Sequence, residues 1–266
     1  MKKKYTMKDI AELCGVSTAT VSYVLNDVPN QSISAETKKQ ILQIANMVGY
    51  VSSASAKALA TGRTHLIGVY VPHGGNAAGK QRLLQALAEE AEKAGYRLLL
   101  LTGKCLTQQV TDVDAVFAID ISGEEFSVLG NNCLIPLLYL DGQTDDSLFY
   151  CLRFDAQAIR ERAQALTGCR RVVLVCDAVH CAAYRAYLET CFDGVLAPTE
   201  AITHAFAADT AVVSAGELPV VAAHRLSLGS ADFPLDYAAY AREAVCTAVK
   251  TINRDEMPDE HQILIR

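Results

Sequence analysis

Residues 6–26 read TMKDIAELCGVSTATVSYVLN, and this stretch predicts two short helices joined by a tight turn. Thr6, with Asp9 three residues later, is typical of a helix N-terminus, and Ser17 is typical of a second one after Gly15. The predicted inward residues are Ile10, Ala11, Leu13, Val21, Val24 and Leu25. The second helix then presents Thr18, Ala19, Ser22 and Tyr23 outward, in the manner of a recognition helix that meets base edges in DNA.

A third helix is predicted after Ser34, which is a suitable N-cap. Its expected buried stripe is Ile41, Leu42, Ile44, Ala45 and Val48, so that three helices share one small core. The following segment, residues 51–62, consists of small residues apart from a single Lys57 and a single large apolar Leu59. We expect this segment to be too poor in apolar residues to fold alone.

The N-terminal residues resemble those of the LacI family of bacterial transcription repressors. The matches include Gly15-Val16-Ser17, Thr20-Val21-Ser22, Leu25-Asn26, Gly49-Tyr50 and the exit Thr61-Gly62-Arg63-Thr64. The resemblance implies double-stranded operator DNA as partner and a homodimer as binding form. It also implies a hinge that becomes helical on DNA and a leucine, here Leu59, that wedges into the minor groove. The implied DNA-contacting residues are Thr6, Ser17, Thr18, Ala19, Thr20, Ser22, Tyr23, Asn26, Thr37, Tyr50, Ser53, Ala56, Lys57 and Leu59.

Two departures limit what the resemblance implies. Ser52-Ser53 replace the usual Pro-Asn before the hinge, and Tyr23 stands where the family has an arginine. Since tyrosine cannot make the bidentate contact to guanine that arginine makes, no relative's operator sequence transfers to this chain. The alternative for Leu59 is an ordinary linker residue on a surface turn.

Charge separates the N-terminal part from the rest. Residues 1–65 hold eight Lys or Arg against four Asp or Glu, a net charge of +4, whereas the whole chain carries -6 and the remainder therefore -10. Only the basic N-terminal part suits phosphate backbones. Without an apolar run of membrane-spanning length or a signal peptide, we expect a cytoplasmic protein whose nine cysteines are reduced thiols.

From residue 65 onward strands and helices alternate, which predicts a parallel sheet with helical crossovers. The fold class is therefore an N-terminal all-α helix-turn-helix domain followed by an α/β domain, and the resemblance implies two periplasmic-binding-protein-like lobes. The predicted domains are a DNA-binding domain at 1–51, a hinge at 52–64 and an effector-binding and dimerisation domain at 65–266, with lobes of about 65–141 and 142–266. The predicted strands include 65–71, 96–101, 115–119 and 136–140 in the first lobe, and 171–176, 194–197 and 219–222 in the second. Predicted helices cover 81–95, 156–166, 182–191 and 237–252.

The sensor is predicted to be shortened and its pocket altered. Only residues 103–114 separate the second and third strands, and residues 191–193 lead directly into the strand at 194. Aromatic and acidic positions of the family's pocket are replaced here by glycines and basic residues, which predicts an anionic effector, with an empty cleft as the alternative. The candidate effector-binding residues are His73, Asn76, Lys80, Asp155, Arg185, Glu200, His224 and Arg225; Asp155 is equally suited to be an N-cap.

A rival motif is Gly74 to Lys80, which has P-loop spacing except that Gln81 stands where Ser or Thr should hold magnesium. Cys176, His180 and Cys181 lie close together but lack a second pair of zinc ligands. We therefore expect no metal, no cofactor and no catalytic residues. The primary hypothesis is a sequence-specific repressor controlled by a small effector; the alternatives are a P-loop-like nucleotide-binding enzyme with a DNA-binding head, and a regulator that works without a ligand.

Overall fold

The structure, a computed structural model, describes residues 5–26, 28, 31–50, 62–72, 78–197, 200–201, 206–207, 209–214, 235–257 and 259–265. The chain divides into two compact units, Met1–Thr64 and His65–Arg266. We call the first unit the head.

The head contains three helices: α1 (Met7–Cys14), α2 (Thr18–Leu25) and α3 (Ala35–Met47). Each helix contributes to one core, in which Ile10, Val21 and Ile41 are completely buried. Two predictions of burial are wrong, because Leu13 is 53% and Leu42 is 52% exposed. Leu42 follows the buried Ile41 directly, so it lies about 100° around the helix axis and faces away from the core.

The larger unit begins with a sheet of six parallel strands. These are β1 (Leu66–Tyr70), β2 (Arg97–Leu101), β3 (Ala115–Ile119), β4 (Leu137–Leu140), β5 (Tyr150–Phe154) and, near the C-terminus, β9 (Gln262–Ile265). Their spatial order is β2-β1-β3-β4-β5-β9. All residues of β3 and β4 are buried, as expected for central strands of a parallel sheet that is covered on both faces.

Helices cover both faces of this sheet. On one face α4 (Ala78–Lys93) packs against the C-terminal helix α8 (Tyr237–Asn253), and both contact the side of β3 that carries Phe117. On the other face lies α5 (Gly123–Asn132), whose Phe126 stacks on Tyr139 of β4 with ring centroids 4.0 Å apart. We call this sheet with α4, α5 and α8 the first lobe.

The second lobe has a three-stranded parallel sheet in the order β7-β6-β8. Its strands are β6 (Arg171–Val175), β7 (Gly194–Leu196) and β8 (Thr210–Ser214), and its helices are α6 (Ala156–Thr167) and α7 (Ala182–Cys191). The shortening predicted from the sequence is present. A single short 3-10 helix, Gly103–Leu106, lies between β2 and β3, and two residues separate α7 from β7.

The predicted lobe boundary at residues 141 and 142 is wrong. Strands β5 and β9 pair within the first sheet, and the helix predicted for residues 237–252 packs in the first lobe against α4. The error has a physical cause, since pairing between strands that are distant along the chain leaves no local periodicity in the sequence. Strand β8 was not predicted, and the strand predicted at 219–222 lies outside the described residues.

Among the described residues, no helix combines the length and the apolar character that crossing a membrane requires. All nine cysteines are free thiols, outside any disulfide bond.

Candidate functional site

The first candidate site is the outer surface of the head. Helix α1 begins at a reciprocal cap: the Asp9 backbone N–H donates to Thr6 Oγ1 at 3.3 Å, and the Thr6 N–H donates to Asp9 Oδ2 at 2.7 Å. Gly15 ends the helix with φ +65°, a left-handed conformation that glycine adopts without steric cost. The N-terminus of α2 is thereby placed directly after a fixed turn.

Helix α2 has one buried face and one exposed face. Val21 and Val24 are buried in the core, whereas Thr18 and Ala19 are exposed and Tyr23 is 39% exposed. The Thr20 N–H donates to Ser17 Oγ at 3.0 Å, which satisfies an N-terminal amide that has no partner inside the helix. The outer face near the start of α2 is therefore available for contact with another molecule.

The second candidate site is a cavity of about 90 Å³ between the lobes. It lies beyond the carboxyl ends of β3, β4 and β6, which is where open parallel sheets bind ligands. Three lining carboxylates stand at these strand ends: Asp120 and Asp141 come directly after β3 and β4, and Asp177 is the second residue after β6.

Asp120 ties the lobes together. Its carboxylate lies 2.5 Å from Lys80 Nζ of α4 and accepts hydrogen bonds from the backbone N–H groups of His180 at 2.7 Å and Cys181 at 3.3 Å. His180 Nδ1 is 3.0 Å from the second carboxylate oxygen. The backbone of Asp120 has φ +45°, which is an unfavourable conformation for a residue other than glycine, and the residue is 3% exposed. Its buried carboxylate thus connects the first lobe to the residues at the start of α7 in the second lobe.

Asp141 also has a left-handed backbone, with φ +51°. The Tyr240 hydroxyl of α8 lies 3.1 Å from Asp141 Oδ1 and 2.5 Å from the Leu152 carbonyl oxygen, which are the two acceptors for its one hydrogen. Burial, followed by the nearby Asp120 charge, raises the pKa of Asp141 to about 7, although the Tyr240 hydrogen bond and Lys80 act in the opposite direction. The carboxyl group therefore changes charge near neutral pH.

Asp177 follows β6 on the second lobe. Its carboxylate accepts a hydrogen bond from the Gly79 N–H of α4 at 3.3 Å, which is a second polar contact between the lobes. Burial raises the pKa of Asp177 and raises that of the neighbouring Cys176 to about 12, so Cys176 is an uncharged thiol.

The head matches a known protein family. Residues 6–53 match the family model described as bacterial regulatory proteins, lacI family. The head is therefore similar to the lacI family of bacterial regulatory proteins. The HTH-type transcriptional repressor PurR of Pasteurella multocida is 28% identical over 152 residues, which are 53% of this chain and 45% of that protein. The sucrose operon repressor of Klebsiella pneumoniae is 45% identical over 71 residues, 26% of this chain and 21% of that protein. The chain thus spans less than half of the length of these curated relatives.

Solved structures extend the likeness to the larger unit. The Lac repressor dimer bound to operator and the anti-inducer ONPF matches with a TM-score of 0.65 and 15% identity, over 99% of this chain and 96% of that one. The Lac repressor bound to ONPG in the repressed state matches with a TM-score of 0.66 and 16% identity, over 99% and 97%. At this identity the likeness establishes the fold. The larger unit accordingly has the predicted periplasmic-binding-protein-like fold.

The predicted DNA-contacting residues that the structure describes form two groups. Thr18, Ala19 and Tyr23 are exposed, as expected. The others take part in the framework of the head, although Thr6 and Ser17 are exposed as well. Thr6 and Ser17 cap α1 and α2, and Thr20 and Thr37 bond to cap residues. Asn26 Nδ2 donates to the Ser22 carbonyl at 2.9 Å, and Tyr50 packs against the core. Ser53, Ala56, Lys57 and Leu59 lie outside the described residues.

The predicted effector-binding residues do not form one group. Lys80 lines the cavity, but it is paired with Asp120 instead of being available for a phosphate as the P-loop interpretation requires. Asp155 caps α6 through the Ala158 N–H at 3.1 Å, Arg185 pairs with Glu189 on the exposed side of α7, and Glu200 accepts from the Ala197 N–H at 2.8 Å. His73, Asn76, His224 and Arg225 lie outside the described residues.

The described part of the cavity thus differs from the positive cleft that we expected. Sequence reasoning missed Asp120, Asp141 and Asp177 as a group, although each stands at the end of a hydrophobic strand. The position of acidic residues at the carboxyl ends of predicted parallel strands was the signal that could have found them. Within the described residues, no group of three or more His, Cys, Asp or Glu side chains has an arrangement suited to a metal ion.

Proposed function

We propose that the chain is a sequence-specific transcriptional regulator that binds a pseudo-palindromic operator as a homodimer and responds to a small molecule in the cavity between its lobes. The observation that carries the proposal is the match of residues 6–53 to the lacI family together with the exposed outer face of α2. One recognition helix covers a few base pairs, so a two-fold protein reads a two-fold site.

Tyr23 is the proposed base-reading residue. It is the large exposed side chain on the outer face of α2, and a tyrosine can stack on a base or make one hydrogen bond through its hydroxyl. Thr18 and Ala19 precede it near the N-terminus of the same helix, where base edges are usually met. The adjacent hinge, with Leu59 as the wedge, is proposed from the sequence alone.

The contacts between the lobes support control by a ligand. Asp120 and Asp177 both bond across the cavity, to α7 and α4 respectively, so a molecule in the cavity would meet the groups that hold the lobes together. A ligand that binds one lobe arrangement better than another shifts the population toward it. We propose that such a shift changes DNA affinity. The proposed site of action is the cytoplasm.

The test is selection of DNA sites from a random pool with the full chain, followed by affinity measurements on the selected site. Tyr23→Ala should weaken specific binding by about 2- to 13-fold or change the selected bases, because one hydrogen bond contributes ~0.5–1.5 kcal/mol, while non-specific binding stays the same. Met47→Ala, which changes a side chain that is 78% exposed on α3, is the matched control. A chain that selects no sequence contradicts the proposal.

Leu59→Ala is expected to reduce specific binding more than non-specific binding, because the wedge acts only on kinked DNA. DNA bending measured with and without the substitution tests the hinge.

We also propose that the protein has no catalytic role. Release of phosphate from ATP or GTP by the purified chain would contradict this and favour the P-loop alternative.

A further inference from the structure

The wall of the cavity between the lobes includes a tyrosine, Tyr184 of α7. Tyr184 of α7 is 6% exposed and lines the cavity. Its ring is stacked near that of Tyr187, with centroids 6.3 Å apart, but its hydroxyl makes no hydrogen bond to any residue in the described part of the chain. The hydroxyl is thus accessible from the cavity, where its oxygen can accept a hydrogen bond from a ligand.

The lining also has an excess of negative charge. Of the charged residues that line the cavity in the described part of the chain, three are aspartates and one is Lys80. Lys80 is 13% exposed and its ammonium group is paired with Asp120, so its single charge offsets the charges of Asp141 and Asp177 only in part. Asp141 on the first lobe and Asp177 on the second therefore remain without a paired cation among these lining residues.

Apolar side chains form the rest of the wall. Phe154 and Tyr237 contribute rings from the first lobe, and Leu174 and Leu188 contribute aliphatic groups from the second. Phe154 and Tyr237 meet edge to face with centroids 5.5 Å apart, so this side of the cavity is rigid. A ligand that fits such a wall has an apolar or ring-shaped body and few polar groups.

We propose that the cavity binds a small organic cation, a primary amine on a compact apolar or ring-shaped body. This inference rests on the proposed function of the cavity as a ligand site and names the class of its ligand. An ammonium group has three N–H donors and no acceptor, which suits the two carboxylates and the Tyr184 hydroxyl oxygen. Because Asp141 and Asp177 belong to different lobes, one ammonium group would link the lobes.

The ionisation of Asp141 gives the proposal a second measurable property. The charged groups near it are Asp120 after β3 and Lys80 on α4, and Asp177 after β6 lines the same cavity. The uncharged Tyr184, Tyr237 and Tyr240 hydroxyls on α7 and α8 also interact with it. With its pKa raised to about 7, Asp141 is only partly ionised at neutral pH. A bound cation favours the ionised form, so amine binding should release protons at pH 7 and become tighter between pH 6 and pH 8.

The experiment uses two sets of probes that differ in charge and share a ring. One set is cyclohexylamine, cyclohexanol and cyclohexanecarboxylate; the other is benzylamine, benzyl alcohol and benzoate. Binding to the full chain is measured by calorimetry and thermal shift at up to 10 mM probe. We expect an amine of at least one set to bind at least tenfold more tightly than its neutral partner, and the anions not to bind.

Substitutions then locate the site. Asp177→Asn and Asp141→Asn should each weaken amine binding at least tenfold, whereas Glu189→Gln, which removes a carboxylate that is 53% exposed on α7, should leave it unchanged. Circular dichroism confirms folding of each variant, and Asp177→Asn carries the test if Asp141→Asn does not fold. The proposal is overturned if no amine binds, if an anion binds more tightly than the amine, or if Asp177→Asn has no effect.

DNA binding by the same preparations separates this inference from the proposed function. Sequence-specific DNA binding without amine binding contradicts the ligand class alone. Amine binding without sequence-specific DNA binding contradicts the proposed function and leaves the ligand class intact.

Discussion

Replacing Asp141 with Asn should stabilise the free protein, and increasingly so at higher pH. Asp141 has a pKa of about 7 in the folded chain, whereas an ordinary aspartate has a pKa of 3.8. Burial is the largest cause of this rise in pKa. A pKa that is raised on folding means that the folded state binds the proton more tightly. The stability contributed by Asp141 is therefore complete below about pH 4 and is lost as the pH rises through 7.

The magnitude follows from the two pKa values. Each pKa unit corresponds to 1.36 kcal/mol, so the penalty for an ionised Asp141 is about 2 kcal/mol at pH 5 and about 4 kcal/mol at pH 8. Asn has no charge to lose and keeps an oxygen that can accept the Tyr240 hydrogen bond. The stability gained by Asp141→Asn should thus be about 2–3 kcal/mol larger at pH 8 than at pH 5.

Urea unfolding followed by circular dichroism at the two pH values measures this difference. Glu189→Gln is the control, and it should change stability by no more than ~0.5 kcal/mol at either pH because its ion pair is exposed. An effect of Asp141→Asn that is the same at both pH values would refute the reasoning, since it would mean that the carboxyl group has an ordinary pKa in the folded chain.

Three further substitutions test the framework. Asp120→Asn should destabilise the larger unit by about 3 kcal/mol in urea unfolding, because it leaves the ammonium of Lys80 buried without its carboxylate; a loss below 1 kcal/mol would contradict the importance of this pair. Gly142→Ala should cost ~1–3 kcal/mol or more in the same measurement, because its Cβ would overlap the fully buried ring of Tyr139. Gly15→Ala should lower the stability of the head by ~1–2 kcal/mol in thermal unfolding, because its φ is +65°; an unchanged head would contradict the turn.

A matched control exists for the glycine substitutions. A Cβ on Gly103 would meet no atom within 4 Å and the residue does not have a positive φ. Gly103→Ala should therefore leave the stability within ~0.5 kcal/mol of the original. If it destabilises as much as Gly142→Ala, the close approach to Tyr139 is not the cause of that loss.

The head could be predicted closely from the sequence because its signals are local. A cap needs one hydroxyl or carboxylate and the amides two or three residues later, so Thr6, Ser17 and Ser34 were identifiable in isolation. Strands β1 and β3 were also predicted, since their continuous apolar runs indicate burial on both faces. Burial of single side chains was less accurate, as Leu13 and Leu42 show.

The cavity was harder to predict because its parts come from distant segments. His180 contacts Asp120, which is 60 residues away in the sequence, and Lys80, which is 100 residues away. No local sequence pattern indicates that these three residues meet. β5 was missed because its Arg153 interrupts an apolar run, and its place beside β4 depends on long-range pairing. Comparison with family positions directed attention to Arg185 and Glu200, which bond locally instead.

The central claim is that the chain reads a two-fold DNA sequence through α2. The most direct measurement is a footprint of the full chain on DNA selected from a random pool. We predict protection of two inverted half-sites whose centres are about one helical turn, 10–10.5 base pairs, or a multiple of it apart, with contacts that change when Tyr23 is replaced by Ala. Protection of a lone half-site at full affinity, or a footprint without sequence preference, would contradict the claim.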